Sequence, residues 1–278
     1  MMTLTIHDHD RDSAGYTYVY PVVSRRAGGV SLGINLNPNN ACNWACLYCQ
    51  VPNLTRGSAP AIDLARLEQE LSEFLRGVVQ GDWMQQHVPE PVRVLRDIAI
   101  SGNGEPTSAA EFAQVVELAG RMLREFGLDD VKLRLITNGS LMLKDTVQAG
   151  VRAMAGLNGE VWFKLDRATA GGMAQANQVN DHMEAVRKRL LACADNCTTW
   201  LQTCWFARDG QAPDQAERLA YVDFVRGVAG RIAGVHLYGL ARQPMQPGSE
   251  RLSALPLKTL EAFADEIRHL GITITVSE

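Results

Sequence analysis

Six runs along the chain are rich in apolar and β-branched residues and have the length of strands: Val30–Leu36, Asp97–Ser101, Val131–Thr137, Glu160–Leu165, Thr198–Phe206 and Ala233–Gly239. Between and after them lie six stretches with apolar residues at helical spacing, over about residues 62–80, 109–126, 144–154, 181–194, 214–229 and 257–270. In the second, Phe112, Val115, Val116, Ala119, Met122, Leu123 and Phe126 share one face, and Ser108 with Glu111 three on reads as a capping box. The strand starts at 30, 97, 131, 160, 198 and 233 are spaced by 67, 34, 29, 38 and 35 residues. The later intervals fit one strand–helix unit each. The first is about twice as long, so extra structure is expected there. Strand-then-helix order repeated in this way implies a parallel sheet covered by helices. Six units are too few for the closed eight-strand barrel, which leaves a six-strand partial barrel or an open doubly wound sheet. Within residues 1–28, Tyr16–Ser24 is β-like but interrupted by Pro21, which predicts an edge strand or cap. Ile272–Val276 reads as a short last strand. No shift in composition marks a linker, so residues 1–278 read as one domain.

Composition narrows the class without changing this picture. The 278 residues are 46% hydrophobic and 21% charged, ordinary for a globular chain that needs no disulfide or metal to fold. A net charge of −4 argues against a broad cationic face for nucleic acid, though not against a local basic patch. No apolar run reaches the length of a membrane-spanning helix. The opening MMTLTIHDHDRDS lacks the layout of a secretory signal, so a reducing, cytoplasmic setting is expected.

The unusual residues gather where strands end, which in a parallel α/β domain is one face and the usual place for ligands. After the first strand come Asn37-Pro38-Asn39-Asn40 and then Cys42, Cys46 and Cys49; after the second, Ser101-Gly102-Asn103-Gly104-Glu105-Pro106-Thr107; after the third, Thr137-Asn138-Gly139. The fourth strand carries Lys164 and Asp166, two apart and so on one face, and Arg242 follows the sixth. Thiolates suit zinc or iron–sulfur clusters. The C-x3-C-x2-C spacing lacks the fourth ligand of a closed zinc site and differs from the ferredoxin spacing. Three cysteines in one tight loop suit a cubane cluster with one iron left open. Cys193, Cys197 and Cys204 could ligate a second cluster, but their C-x3-C-x6-C spacing reads as buried packing residues. The six histidines are scattered, with His7 and His9 near the start. Arg25 and Arg26 read as solvated hairpin residues. Asp129 and Asp130 precede the third strand, on the opposite face, and have no assigned role.

Cys42-x3-Cys46-x2-Cys49, with aromatic Tyr48 before the last cysteine, resembles the signature of the radical S-adenosylmethionine (SAM) superfamily. Gly102–Pro106 resembles that superfamily's GGEP loop, with Asn103 in place of one glycine. Ser24-Arg25-Arg26, Ser31–Leu36 and Phe163–Asp166 look like segments of the narrower group of wyosine-synthase-related iron–sulfur oxidoreductases, which includes tRNA-modifying members.

The resemblance implies an open, partial (β/α)6 barrel. It implies that Cys42, Cys46 and Cys49 hold a [4Fe–4S] cluster that reductively cleaves SAM to a 5′-deoxyadenosyl radical, which takes hydrogen from a substrate. It implies SAM contacts from Gly102, Asn103, Gly104 and Glu105 at the amino-acid end, and from Asn138, Lys164 and Asp166 nearer the ribose and carboxylate. Tyr48 would lie by the adenine and Arg242 on the reactive face. For Tyr48 core packing, for Asn138 an ordinary turn, and for Lys164 with Asp166 a plain ion pair stand as alternatives. A side chain at Gly104 is expected to fill space the ligand needs while sparing the cluster. The substrate (small molecule, peptide or RNA) is open, a reductant such as flavodoxin or ferredoxin is expected, and a monomer or weak dimer with no membrane partner is expected. The competing classes are a tRNA-modifying enzyme and an iron–sulfur electron carrier that does not use SAM.

Overall fold

A computed structural model describes residues 4, 15–24 and 27–278; His7, His9, Arg25 and Arg26 lie outside the described residues. The chain runs through β1 (Val19–Ser24), β2 (Gly29–Ile34), the two-residue β3 (Ala41–Cys42) and β4 (Thr55–Arg56), α1 (Leu64–Val79), α2 (Trp83–His87), β5 (Leu95–Ile100) and α3 (Phe112–Glu125). It continues through β6 (Lys132–Thr137), α4 (Asp145–Ala155), β7 (Gly159–Lys164), α5 (Ala170–Asn177), α6 (Met183–Ala194), β8 (Thr198–Cys204) and the short β9 (Ala207–Arg208). It ends with α7 (Gln215–Arg226), β10 (Gly234–Tyr238), the short β11 (Leu252–Ser253), α8 (Leu257–Arg268) and β12 (Ile274–Ser277).

The main sheet has eight strands in the order β1-β2-β5-β6-β7-β8-β10-β12. It curls strongly into an open half-barrel, as expected of the partial (β/α)6 form. Every neighbouring pair is parallel except β1 with β2. β1 carries Pro21 and pairs on one side alone, the edge position its missing N–H requires. The long first interval holds the β3–β4 ribbon, α1 and α2.

Side chains alternate across the strands, and this alternation makes the site possible. The convex face supplies Leu32, Ile34, Ile98, Ile100, Leu133, Leu135, Val161, Phe163, Leu201, Val235 and Leu237 to the core, packed with the apolar stripes of the outer helices. The concave face supplies Ser31, Asp97, Arg134, Trp162, Lys164, Gln202 and Tyr238 instead. A parallel sheet buried on both faces would read as continuous apolar runs; the polar alternates here line a cavity. At its N-terminal end Arg134 bonds Asp97 and, at 2.6 Å, Glu160, which also takes Lys132 at 2.7 Å. Charges this buried are tolerable because each is paired.

The expected capping box does not form. α3 has Glu111 as its N-cap with no side-chain bond. Ser108 belongs to a 3₁₀ turn over Pro106–Ser108, where its hydroxyl donates to the Glu105 carbonyl at 2.7 Å and accepts from Ala59 N at 2.9 Å.

Candidate functional site

A cavity of about 780 Å³ opens at the C-terminal ends of the strands and extends into the half-barrel. Cys42, Cys46 and Cys49 line it, as do Tyr48, Gly102, Asn103, Gly104, Glu105, Asn138, Lys164 and Arg242. Asp166 stands behind this wall. Loops far apart in sequence thus converge as the parallel topology requires.

The cysteine loop is held from several sides. Asn37 Nδ2 donates to the Ala41 carbonyl at 2.9 Å, and Asn35 Oδ1 accepts from Asn37 N and Asn103 N, each at 3.0 Å. Asn103 Nδ2 reaches Asn40 Oδ1 at 2.6 Å, and Asn138 Nδ2 reaches Asn43 Oδ1 at 2.8 Å. The loop after β10 closes over the last cysteine: Met245 N donates to Cys49 O at 2.9 Å and Gln246 Nε2 to Val51 O at 2.7 Å. The thiols are half-buried and free of disulfides. Burial pushes the Cys42 thiol up to about 11 and the Cys46 thiol up to about 12, so without metal both are neutral at pH 7. Trp44 N donates to Cys42 Sγ at 3.5 Å and Asn177 Nδ2 to Cys46 Sγ at 3.2 Å, contacts that favour the anionic sulfur a metal needs.

Among the described residues no group of three or more His, Cys, Asp or Glu side chains is gathered as the ligands of one metal ion. The three thiols face a shared void instead, and the corners of a cubane stand farther apart than the ligands of a single ion. The donor set on this loop is all thiol and opens on a cavity, so these residues fit a cluster with one open position; Cys204 also reaches the cavity wall, but it is buried against Tyr48 and Phe206.

Several expected ligand contacts turn inward. Glu105 is 2% exposed, and its carboxylate accepts from Thr107 N (3.1 Å), Thr107 Oγ1 (2.6 Å), Thr137 Oγ1 (2.6 Å) and Asn138 N (2.6 Å). Burial raises its pKa. It ties the end of β5 to the end of β6. Asp166, also 2% exposed, accepts from Tyr48 Oη, from Asn177 Nδ2 at 2.7 Å and from Cys204 N at 2.8 Å. Lys164 makes no ion pair with it. Its Nζ donates to Tyr238 Oη at 3.3 Å and lies 4.8 Å from the Tyr48 ring centre. Burial opposes that charge, and the groups around it, Tyr238 and Asp166 first, outweigh it and hold the ammonium protonated. Tyr48 packs with Ala176, Cys204 and Phe206, so its ring anchors the loop.

The glycines of the loop after β5 are shaped by protein, not by open space. Gly102 has φ +144° and a Cβ there would strike Asn35. A Cβ at Gly104 would overlap the Ala41 carbonyl and the Asn37 amide. A larger residue at 104 therefore distorts the cysteine loop itself, which overturns the expectation that it would spare the cluster.

Four residues of this region carry no clear mark in the hydrophobic and polar pattern. Asn35 and Asn43 are bonded hubs, Asn177 ends a helix that the apolar spacing did not reveal, and Gln202 is 2% exposed on the cavity wall with no hydrogen-bond partner for Oε1. Gln202 had one legible signal, a carboxamide in the middle of an apolar strand, in register with Lys164. Cys193 bonds Thr199 at 3.3 Å and Cys197 bonds the Gly159 carbonyl at 3.4 Å. Cys204 lies at the other end of β8, roughly 20 Å from Cys197 at strand rise, so the three do not form a ligand set.

No protein-family model matches the chain. It is 30% identical over 179 residues to UPF0026 protein MJ1312 of Methanocaldococcus jannaschii, covering 63% of this chain and 49% of that protein. It is 28% identical over 132 residues to GTPase Obg of Brachyspira hyodysenteriae, covering 46% of this chain and 16% of that protein. The chain thus spans about half and about one sixth of these curated relatives. No lysine here follows a glycine, so the G-x-x-x-x-G-K-[ST] phosphate loop is not in the sequence. Among solved structures, a radical SAM methyltransferase from Sphaerobacter thermophilus superposes at TM-score 0.58 with 16% identity, over 93% of this chain and 68% of that one. A histidine-tagged anSMEcpe with bound AdoMet superposes at TM-score 0.53 with 15% identity, over 88% of this chain and 63% of that one. At these identities the likeness is one of fold: the chain is built on the open half-barrel of the radical SAM enzymes.

Among the described residues no helix is long and apolar enough to cross a membrane.

Proposed function

We propose that this chain is a radical SAM enzyme. The observation that carries the reading is the set of three half-buried thiols facing one cavity at the strand ends of an open half-barrel. Cys42, Cys46 and Cys49 would hold a [4Fe–4S] cluster. When bound, the cluster supplies one electron to SAM, whose carbon–sulfur bond breaks. The chain's own residues bind and orient. The Asn103 and Asn138 amides line the cavity and brace the cysteine loop, so that ligand and cluster sites are fixed to each other. Glu105 and Asp166 hold the frame beneath them. Lys164 brings a buried positive charge to the wall, suited to a carboxylate or a hydroxyl of the ligand. Gln202, on the cavity wall, has a buried Oε1 without a partner, an acceptor suited to a donor on the substrate. The depth of this cavity speaks for a ligand-converting enzyme over an electron carrier, which needs no such space.

The substrate is a small molecule, a peptide or, in the narrower wyosine-synthase-like form, RNA, with an external one-electron reductant of the flavodoxin or ferredoxin kind. The test is anaerobic reconstitution followed by SAM and dithionite. About four irons per chain and 5′-deoxyadenosine on chromatography are expected. Iron without SAM binding would leave an electron carrier, and no iron would end the reading.

A further inference from the structure

α5 has no one-sided apolar stripe to explain its place, yet its C-terminal end is built into the cysteine loop. Leu47 N donates to the Ala176 carbonyl at 2.9 Å and Ala45 N to the Asn177 carbonyl at 3.3 Å. Gln178 follows in the left-handed conformation, φ +55°, which stops the helix there. Arg56 then staples helix end to loop, with Nη2 on the Gln178 carbonyl and Nη1 on the Asn43 carbonyl, each at 2.6 Å.

The side chain of Asn177 sits inside this joint and is fully buried. Its Nδ2 has two hydrogens and two acceptors: Asp166 Oδ2 at 2.7 Å and Cys46 Sγ at 3.2 Å. Both neighbours are acceptors, so the amide has one sensible orientation. The cost is visible, because Asn177 Oδ1 is buried with no hydrogen-bond partner. A buried carbonyl left unsatisfied asks for a reason. Asp166 supplies half of one, since it is itself held by Tyr48 and by Cys204 N and so fixes the amide against the sulfur.

We infer that Asn177 is a positioning residue that sets the reduction potential of the cluster, through its N–H···S bond to Cys46. The inference rests on the cluster reading above. One-electron reduction adds negative charge to the cluster and its ligand sulfurs. An N–H dipole aimed at one of those sulfurs stabilises the reduced form more than the oxidised form, and burial strengthens the effect. Removing the donor therefore moves the potential to more negative values and makes the electron harder to accept from an external one-electron donor.

The test is a redox titration of the reconstituted protein, followed by electron paramagnetic resonance. Asn177→Leu should keep its iron while its reduction equilibrium shifts about tenfold toward the oxidised form, about 59 mV for one electron. Thr169→Ala is the control. It removes the N-cap bond to Gly172 N at 2.9 Å and loosens the other end of the same helix, so it should leave the potential in place. A potential unchanged in Asn177→Leu, or shifted equally in Thr169→Ala, overturns the inference. Should Asn177→Leu lose its iron, the wild-type protein still decides. With ¹⁵N-asparagine incorporated, pulsed resonance on the reduced cluster should show a weak ¹⁵N coupling, and its absence overturns the inference. A wild-type protein that takes up no iron overturns the cluster reading and this inference with it; iron with an unshifted potential overturns this inference alone.

Discussion

Two trios of cysteines begin with the same C-x3-C spacing, and the structure puts them in different settings. Cys42, Cys46 and Cys49 sit half-buried on a loop after β2, face a cavity, and receive N–H donors at two of the three sulfurs. Cys193 and Cys197 flank the turn from α6 into β8, are buried, and donate or share hydrogen bonds with ordinary protein oxygens. Cys204 closes the same strand at its far end, on the wall of the cavity but buried against Tyr48 and Phe206. Spacing is therefore a weak guide to ligation. What separates the trios is the backbone between the sulfurs. A loop can turn three side chains toward one point, whereas a strand alternates and stretches them apart.

The sharpest way to break this comparison is to remove the thiols. Each of Cys42→Ala, Cys46→Ala and Cys49→Ala should abolish the cluster absorption and nearly all bound iron after anaerobic reconstitution. Cys193→Ser, Cys197→Ser and Cys204→Ser should keep the full wild-type iron and lose only stability. Iron retained in all of the first set, or lost from the second, would reverse the assignment.

Gly104 probes how tightly the first trio is held. Its missing Cβ leaves room for the Ala41 carbonyl, one residue before Cys42. Gly104→Ala should cost roughly 3 kcal/mol, the upper end of overpacking. Iron content and SAM affinity should fall together, as titration of both on one preparation would show. Full iron with lost SAM binding would instead mean that residue 104 meets the ligand alone.

Much of this frame is legible in the chain. The six expected strands appear as β2, β5, β6, β7, β8 and β10, because alternation and β-branched content are local properties. α5 is not legible: its sequence, AGGMAQAN, has small residues and two glycines in place of an apolar stripe. α2 is too short to show a period. Strand positions put Lys164 on the cavity wall but not Asp166, which lies past the end of β7 and behind that wall. They could not give the partners, because Asp166 meets Tyr48 across 118 residues and Glu105 meets Asn138 across 33. The carboxylates that looked free for a ligand are consumed by the loops around the cavity.

Cys197 of the second trio borders the ion-paired end of the half-barrel, near Glu160, and acid should reveal the contrast. Burial works against the Glu160 carboxylate, but Lys132 and Arg134 outweigh it and lower its pKa below the usual carboxylate value. A depressed acid contributes stability above its unfolded pKa, about 4.3, and loses it as pH falls through the folded value. Glu160→Gln should therefore cost about 2 kcal/mol at pH 7. In thermal melts followed by circular dichroism, its gap to the wild type should narrow below about pH 4. A gap constant from neutral to acid pH would mean that Glu160 is not ionised in the fold.

The smallest effect tests the brace behind the first trio. Gly171 and Gly172 are neighbours at the start of α5 and differ in surroundings. A Cβ at Gly171 meets nothing within 4 Å, whereas one at Gly172 would strike the Glu217 carboxylate. That carboxylate accepts from Ala168 N at 2.5 Å and Thr169 Oγ1 at 2.5 Å, so it has no slack to give. Gly171→Ala should stabilise by about 0.5 kcal/mol, through the smaller conformational freedom of alanine in the unfolded chain. Because α5 ends on the cysteine loop, the same change should slow iron loss in mild denaturant, and Gly172→Ala should speed it. If both variants lost iron at the wild-type rate while their melting temperatures moved apart, α5 would stabilise the fold without bracing the loop. The difference between the two trios would then rest on the loop alone.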